Sequence, residues 1–296
     1  MLRATYRGAW GERQVSFGSF IAPDRELEGL ANPAEKLGIG IPSGYRALAN
    51  AGAFAGQNRI FDAIVEATAS VDVACEDQCS TQYYFDLVRT LRDFNGEFDR
   101  LVEVGVFMGG SSTVLAGCME SFGFEMDMVD INAEYLQFAY ERVRRTYPAA
   151  ATRIRLFHGD LASYVKAELL DAAPGRCIVH HDGAHDFNQV VRDMSSLYYV
   201  RDQIVAIIAQ DTHLRGSIKY MNFVDMALYA VFGLDLNYAP IGASYAAADP
   251  RTRPNAFEGN YFMPDAPEGF VLPMAVNQFH YPHPDLSIDD FLSSPG

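Results

Sequence analysis

The stretch LVEVGVFMGGSSTVL, with MDMVDIN following roughly twenty residues later, constrains this chain more than any other feature. It has the pattern of a strand, a glycine-rich turn, a helix, and a second strand ending in an acid. Leu101 to Val106 is short, apolar and rich in β-branched residues, as a strand requires. Gly105, Gly109 and Gly110 let the backbone turn tightly and approach a ligand closely. Ser111, Ser112 and Thr113 suit the first turn of a helix, whose unpaired N–H groups face whatever lies above the sheet. Asp130 ends the next strand, at the distance where a nucleotide-binding α/β fold places the acid that grips ribose hydroxyls. The pattern predicts binding of an adenosine-containing molecule.

The glycine spacing narrows the choice. A dinucleotide fingerprint needs G-x-G-x-x-G, whose middle glycine lets the backbone meet a pyrophosphate. Counting from Gly105, that middle position is Phe107, which would crowd a diphosphate. A nicotinamide-dependent oxidoreductase is therefore the disfavoured alternative. The spacing present is E-x-G-x-x-x-G, from Glu103 through Gly105 to Gly109. It resembles motif I of the class I S-adenosylmethionine-dependent methyltransferases, whose cofactor has no phosphate. The resemblance implies that Glu103 and the Gly105–Gly110 loop border the methionine part and that Asp130 binds the ribose, with Ser111 a further cofactor-binding candidate.

Composition excludes several other classes. The chain has 296 residues, enough for one large α/β domain with extensions, and 49% of them are hydrophobic, enough for a packed core. Its formal charge is −15 and it has no lysine- or arginine-rich stripe. That argues against a nucleic-acid backbone or an anionic membrane surface as partner. No apolar run reaches the roughly eighteen residues of a transmembrane helix. The opening MLRATYRGAWGERQ lacks the apolar core of a signal peptide. Cys118 and Cys177 lie in apolar segments, while Cys75 and Cys79 stand in a C-x-x-x-C spacing with no second pair to complete a metal site. Reduced thiols in a cytoplasmic protein are the expectation.

Residues 1–57 hold many turn formers and are expected to form an arm or cap, a candidate contact with another subunit of a homo-oligomer. A methyltransferase domain is expected over 58–296, with its core at 98–232 and an aromatic, proline-rich extension at 233–296. IFDAIVEATASV and TQYYFDLVRTLRDF carry apolar residues three and four apart and predict helices. Beyond them strand and helix alternate. FEMDMVDI, TRIRLFHGD, RCIVHHDG and QIVAIIAQD read as strands. AEYLQFAYERVRRTY, LASYVKAELL, HDFNQVVRDMSSLYYV and SIKYMNFVDMALYAVF read as helices. Repeated βα units with apolar strands imply a mostly parallel sheet covered on both faces. The expected fold is α/β and Rossmann-like, with seven strands. The extension is expected either to supply the last antiparallel strands and a loop over the active site, or to pack as a surface appendage.

In open parallel sheets, ligands collect at the carboxyl ends of the strands. Here those ends carry Asp130, Asp160, Asp182 and Asp211, with Glu103 nearby. Asp160, in HGD, has two readings: a contact to the adenine amino group, which the family resemblance implies, or a cap on the helix beginning at Leu161. The sharper signal is HHDGAH together with AQDTH. Asp182 and Asp211 end neighbouring predicted strands, and two carboxylates facing one cleft share either a proton or a cation. A hard divalent ion such as magnesium takes oxygen ligands, and Gln210 offers a further oxygen.

This constellation is similar to that of the metal-dependent sugar and natural-product O-methyltransferases, most of all the mycinamicin-type macrolide-sugar branch. Their motif has the form D-G-x-H, followed by an acidic pair on the next strand. Asp182 matches the first metal ligand and Asp211 the second member of the later pair, but Gln210 stands where the first acid belongs. The resemblance covers residues 100–215 and neither terminus. It implies that His185 acts as the base that takes the acceptor proton. Histidine has a suitable pKa for that work. His213, two residues after Asp211, and His181 are the rivals, whereas His180 alternates away from His181 and is expected to be packed.

These features together predict an S-adenosylmethionine-dependent O-methyltransferase for a hydroxyl of a sugar or other small natural product, assisted by a divalent metal. A cephalosporin-hydroxylase-like or N-methylating member of the same fold, and a cofactor-binding assembly protein without chemistry, are the alternatives.

Overall fold

The structure, a computed structural model, describes residues 16–171, 175–216, 221–254, 256, 259–280 and 288. Ten strands run in chain order: β1 Ser19–Ile21, β2 Arg100–Val104, β3 Glu125–Asp130, β4 Ile154–His158, β5 Cys177–His181, β6 Ile204–Gln210, β7 Leu214–Arg215, β8 Ala239–Ile241, β9 Tyr261–Phe262 and β10 Gly269–Pro273. The α-helices are α1 Pro33–Lys36, α2 Arg59–Ala69, α3 Thr81–Asp93, α4 Gly110–Phe122, α5 Ala133–Thr146, α6 Pro148–Ala151, α7 Leu161–Tyr164, α8 Phe187–Ser196 and α9 Val224–Phe232.

Local chemistry sets most helix starts. The side chains of Asn58, Ser80, Asn132 and Asp186 each accept an N–H from the first turn of α2, α3, α5 and α8. The α4 helix instead begins and ends on left-handed glycines, Gly109 at φ 70 and Gly123 at φ 75.

The main sheet has the order β1-β4-β3-β2-β5-β6-β10-β8. The five strands from β4 to β6 are parallel, and β10 runs antiparallel to both β6 and β8. This is a Rossmann-like α/β sheet. Residues alternate between two cores along each strand: Leu101 and Ile178 pack with α2 to α5, while Val102 and Val179 pack with α7 to α9. Burial on both faces is why these strands read as continuous apolar runs.

The sheet has eight strands where seven were expected. The eighth is β1, which pairs antiparallel with β4 along Ser19–Ile21. Three residues carry no periodicity to read. Their pairing depends on the open edge of β4 and on Phe20, which packs edge-on against Phe157 at 5.2 Å.

The helix expected over SIKYMNFVDMALYAVF is shorter than its pattern. Residues 217–220 lie outside the described residues, and α9 starts only at Val224. Asn222 is drawn into an antiparallel bridge with Asp186, and its amide donates to the Asn260 side chain at 3.0 Å. Those tertiary bonds take the backbone out of the helical path. The C-terminal extension supplies β8 and β10, and β9 pairs with β7 directly after Asp211. Among the described residues, no helix is long and apolar enough to cross a membrane.

Candidate active site

Strand order reverses between β2 and β5, since β3 and β4 lie to one side and β6 to the other. An α/β sheet opens a crevice at such a switch point. Here the crevice floor is tightly laced. Gly105 N–H donates to Val129 O, and Asp182 N–H donates to Val104 O, both at 2.8 Å. Gly105 has φ 81, and a Cβ there would stand 2.2 Å from Asp182 O and 2.4 Å from Gly183 Cα. Only glycine permits that approach. The glycine loop and the D-G-x-H segment thus touch through their backbones.

On the β2–β4 side, the polar groups are largely held by the chain itself. The Asp130 carboxylate accepts Val106 N–H at 2.9 Å through one oxygen and Asn132 N–H at 2.8 Å through the other. Burial raises its pKa, and the N–H groups of Asn132, Val106 and Phe107 oppose that rise. The acid expected at the ribose therefore also clamps the glycine loop. A carboxylate offers about four lone-pair sites, so acceptor capacity remains.

Glu103 is fully buried beneath the loop, and its Oε1 accepts the Ser111 hydroxyl at 2.6 Å. Burial pushes Glu103 up to about 8, against the hydrogen bond from Ser111. Glu103 and Ser111, both cofactor-binding candidates, are thus bonded to each other. At Gly109 a Cβ would meet the Ala139 backbone at 2.9 Å, so that glycine lets α4 and α5 pack closely. Asp160 takes the capping reading: its Oδ1 accepts Ser163 N–H at 2.9 Å in a reciprocal capping box on α7. Phe107 adopts φ 43 and sets its ring against Tyr135 at 5.1 Å.

Ile131, directly after Asp130, is 67% exposed. It is a large apolar side chain left uncovered beside Asp130, and a flat ring laid there would cover it. Sequence reading passed over this residue because an isoleucine at a strand end looks like core.

The β5–β6 side is different. Asp182, His185 and Asp211 bring one ligand atom each within 4.8 Å of one another, all partly buried. His185 Nε2 lies 3.0 Å from Asp211 Oδ2 and 3.8 Å from Asp182 Oδ1. The atom is buried, yet neither contact has hydrogen-bond alignment. Burial presses the His185 pKa down, but the Asp211 charge and the approach and charge of Asp182, which at 3.8 Å is too far for a hydrogen bond, outweigh it and push the imidazole up to about 9. The two carboxylates thus favour the protonated imidazole, and a cation between them would oppose that.

Asp211 holds φ 59, a left-handed conformation uncommon outside glycine, asparagine and aspartate. Burial raises its pKa, with His185 and the Gln210 amide opposing. Gln210 is 3% exposed and its Oε1 has no partner.

His213, His181 and His180 are not part of this cluster. His213 is buried against Phe262, with ring centroids 4.1 Å apart and planes 9° apart, and neither of its nitrogens has a partner. Burial and Arg215 press its pKa down to about 3. His181 bonds Asp193 at 2.9 Å on the α8 side of the sheet. His180 is fully buried, as expected, with Nε2 at 3.0 Å from the Tyr83 hydroxyl.

Two residues that sequence reading missed border the carboxylates. Glu268 accepts Ser80 N–H and Ala243 N–H, each at 2.8 Å, and burial with the nearby Asp211 charge pushes it up to about 7. Cys79 donates a weak bond to Asp182 Oδ2 at 3.7 Å. All four cysteines are free and buried. Nothing local marks Glu268. It arrives because Gly269 pairs with Gln210 across the antiparallel β10–β6 ladder.

No family model matches this sequence, and no curated protein matches it. Among solved structures, the chain is similar to a putative O-methyltransferase from Klebsiella pneumoniae, at 16% identity over 56% of this chain and 71% of that one, with a TM-score of 0.37. It is similar to an O-methyltransferase from Bacillus cereus in complex with SAH, at 14% identity over 56% and 72%, TM-score 0.38. A third is the O-methyltransferase TomG from Streptomyces achromogenes, involved in tomaymycin synthesis and in complex with SAM, at 13% identity over 56% and 71%, TM-score 0.38. Likenesses this distant carry no activity across. The functional reading rests on the geometry of this chain.

Proposed function

We propose that this protein is an S-adenosylmethionine-dependent O-methyltransferase that acts on a hydroxyl of a sugar or other small natural product, with a divalent cation at its acceptor site. The observation that carries the reading is the backbone contact of Gly105 with Asp182 and Gly183. It sets a nucleoside-type loop and a cation-type cluster on one crevice, side by side.

The residues present fit both groups. Asp130 keeps acceptor capacity for ribose, and Ile131 offers an uncovered apolar face next to it. The orphaned, buried Nε2 of His185 and Oε1 of Gln210 fit a cation at Asp182 and Asp211. S-adenosylmethionine supplies, when bound, a methyl group on a positively charged sulfur that an oxygen nucleophile attacks in line. Asp182 and Asp211 would hold the divalent cation, which would lower the pKa of an acceptor hydroxyl beside it. The chain's own part is mainly positioning. The rigid Gly105–Asp182 seam fixes the distance between cofactor loop and acceptor cluster, and holding two reactants at attack distance is a large share of such catalysis. Glu268 fixes the start of α3 and the loop after β8 around the same rim through Ser80 and Ala243.

A thermal-shift screen tests the reading. A ligand that binds only the native state raises its stability by mass action. SAM and SAH should shift the melting curve, and nicotinamide dinucleotides should not. A shift by NAD or NADP with none by SAH would replace this reading with the oxidoreductase one.

A further inference from the structure

The family resemblance makes His185 the base and Gln210 the third metal ligand. The atoms on the rim favour another division of roles. We infer that His185 Nε2 is itself a ligand of the divalent cation, completing a centre of two carboxylates and one imidazole with Asp182 and Asp211. The inference rests on the methyl-transfer reading of this same site.

Distances come first. In an octahedral site with bonds of about 2.1 Å, adjacent ligand atoms stand roughly 3.0 Å apart and opposite ones roughly 4.2 Å. His185 Nε2 is 3.0 Å from Asp211 Oδ2 and 3.8 Å from Asp182 Oδ1, within that range.

Direction is the second point. A histidine serving as the ion-pair partner of Asp211 would aim its N–H along the line to the oxygen. Nε2 is buried and has no hydrogen-bond partner. Nε2 therefore stands near both carboxylates without being bonded to either.

The third point is independent of the triad. Gln210 is 97% buried by its 3% exposure, its amide touches Asp211, and its Oε1 has no partner. A buried amide oxygen left unbonded beside this cluster costs free energy unless a ligand meets it.

The fourth is rigidity. His185 O accepts Phe223 N–H at 3.2 Å, and the next residue, Asp186, caps α8 and bridges Asn222. The imidazole is mounted on a fixed turn, as a ligand needs.

Two consequences follow. An imidazole whose lone pair binds a cation does not take the acceptor proton. And a nitrogen ligand shifts preference away from magnesium, which favours all-oxygen sites, toward manganese and the later divalent metals.

The test uses the full chain, stripped with chelator. Mn2+ is titrated and followed by electron paramagnetic resonance, with electron spin echo modulation to detect a directly bound nitrogen. SAH binding is measured by calorimetry on the same sample. One Mn2+ per chain with nitrogen modulation is expected. Loss of second-sphere partners alone weakens such sites about 10–100-fold, so His185→Ala should lose the modulation and weaken Mn2+ by at least about tenfold. Mg2+ should displace Mn2+ only at more than about tenfold excess. Bound Mn2+ without nitrogen modulation in the unaltered protein overturns the inference, as does no Mn2+ binding at all. In either case SAH binding shows that the methyltransferase reading stands. Nitrogen-coupled Mn2+ without SAH binding supports the ligand set and removes that reading.

Discussion

The two halves of the crevice rim differ in how far the chain itself bonds their carboxylates. On the β2–β4 side, Asp130 bonds two loop N–H groups, Asp160 caps α7, and Ser111 bonds Glu103. On the β5–β6 side, His185 Nε2, Gln210 Oε1 and both nitrogens of His213 are buried without partners, and Asp211 sits in a left-handed conformation. The first half is bonded mainly by the chain, although Glu103 Oε2 and Ser112 Oγ are buried there without partners and Phe107 holds φ 43. The second gathers its unbonded atoms beside two carboxylates that the chain bonds only weakly. Buried unbonded polar atoms and local strain persist where the surrounding fold holds them, and they gather at functional sites.

That contrast is open to direct attack. The largest effect is expected at the seam between the halves. Gly105→Ala places a Cβ against Asp182 O at a left-handed φ, and should cost more than about 4 kcal/mol, in the exceptional range for one substitution. Chemical denaturation measures it. A near-native melt would mean that the two loops separate easily and that the crevice floor is not rigid.

Removing one carboxylate from each half should then give opposite phenotypes. Asp182→Ala is expected to lower methyl transfer by roughly 10²–10³-fold, as loss of a key electrostatic group does. It should change stability by less than about 1 kcal/mol, because the chain bonds that carboxylate only weakly. Asp130→Ala leaves two loop donors unpaired and should cost about 2–4 kcal/mol, with SAH affinity falling alongside. Equal melting curves for the two variants would dissolve the distinction between the halves.

A smaller effect concerns His213. Its folded pKa, about 3, lies below the unfolded value of about 6.5. The unfolded chain therefore binds the extra proton, so the associated stability is present above pH 6.5 and is lost as pH falls toward 3. His180, held near 4 by burial, acts with the same sign. His213→Phe keeps the stack on Phe262, removes two unbonded nitrogens, and should raise stability at neutral pH by about 1 kcal/mol. It should also flatten part of the acid slope. An unchanged acid limb would place the proton uptake elsewhere.

The smallest is Asp160. Asp160→Ala should cost about 1 kcal/mol for the lost cap, whereas Asp160→Asn keeps the cap. If the Asn variant melts normally yet binds SAH distinctly more weakly, Asp160 also meets the adenine.

What this chain determines locally was open to reading. The glycine loop, the register of Asp130, the run of βα units and the D-G-x-H turn are each written within a few residues. They rest on φ preference, capping and period, which act between near neighbours. Five parallel strands and their acidic ends follow from those signals alone. The tertiary structure decided what depends on distant contacts. It added β1 to the free edge of β4, ended a helical pattern at Val224 through Asn222, and carried Glu268 beside Asp211 on an antiparallel strand. It also brought His185 to 3.0 Å from Asp211, a residue 26 positions away. Pairing at a sheet edge and the meeting of side chains from two strands depend on packing energy summed over the whole core, and no local pattern encodes that sum.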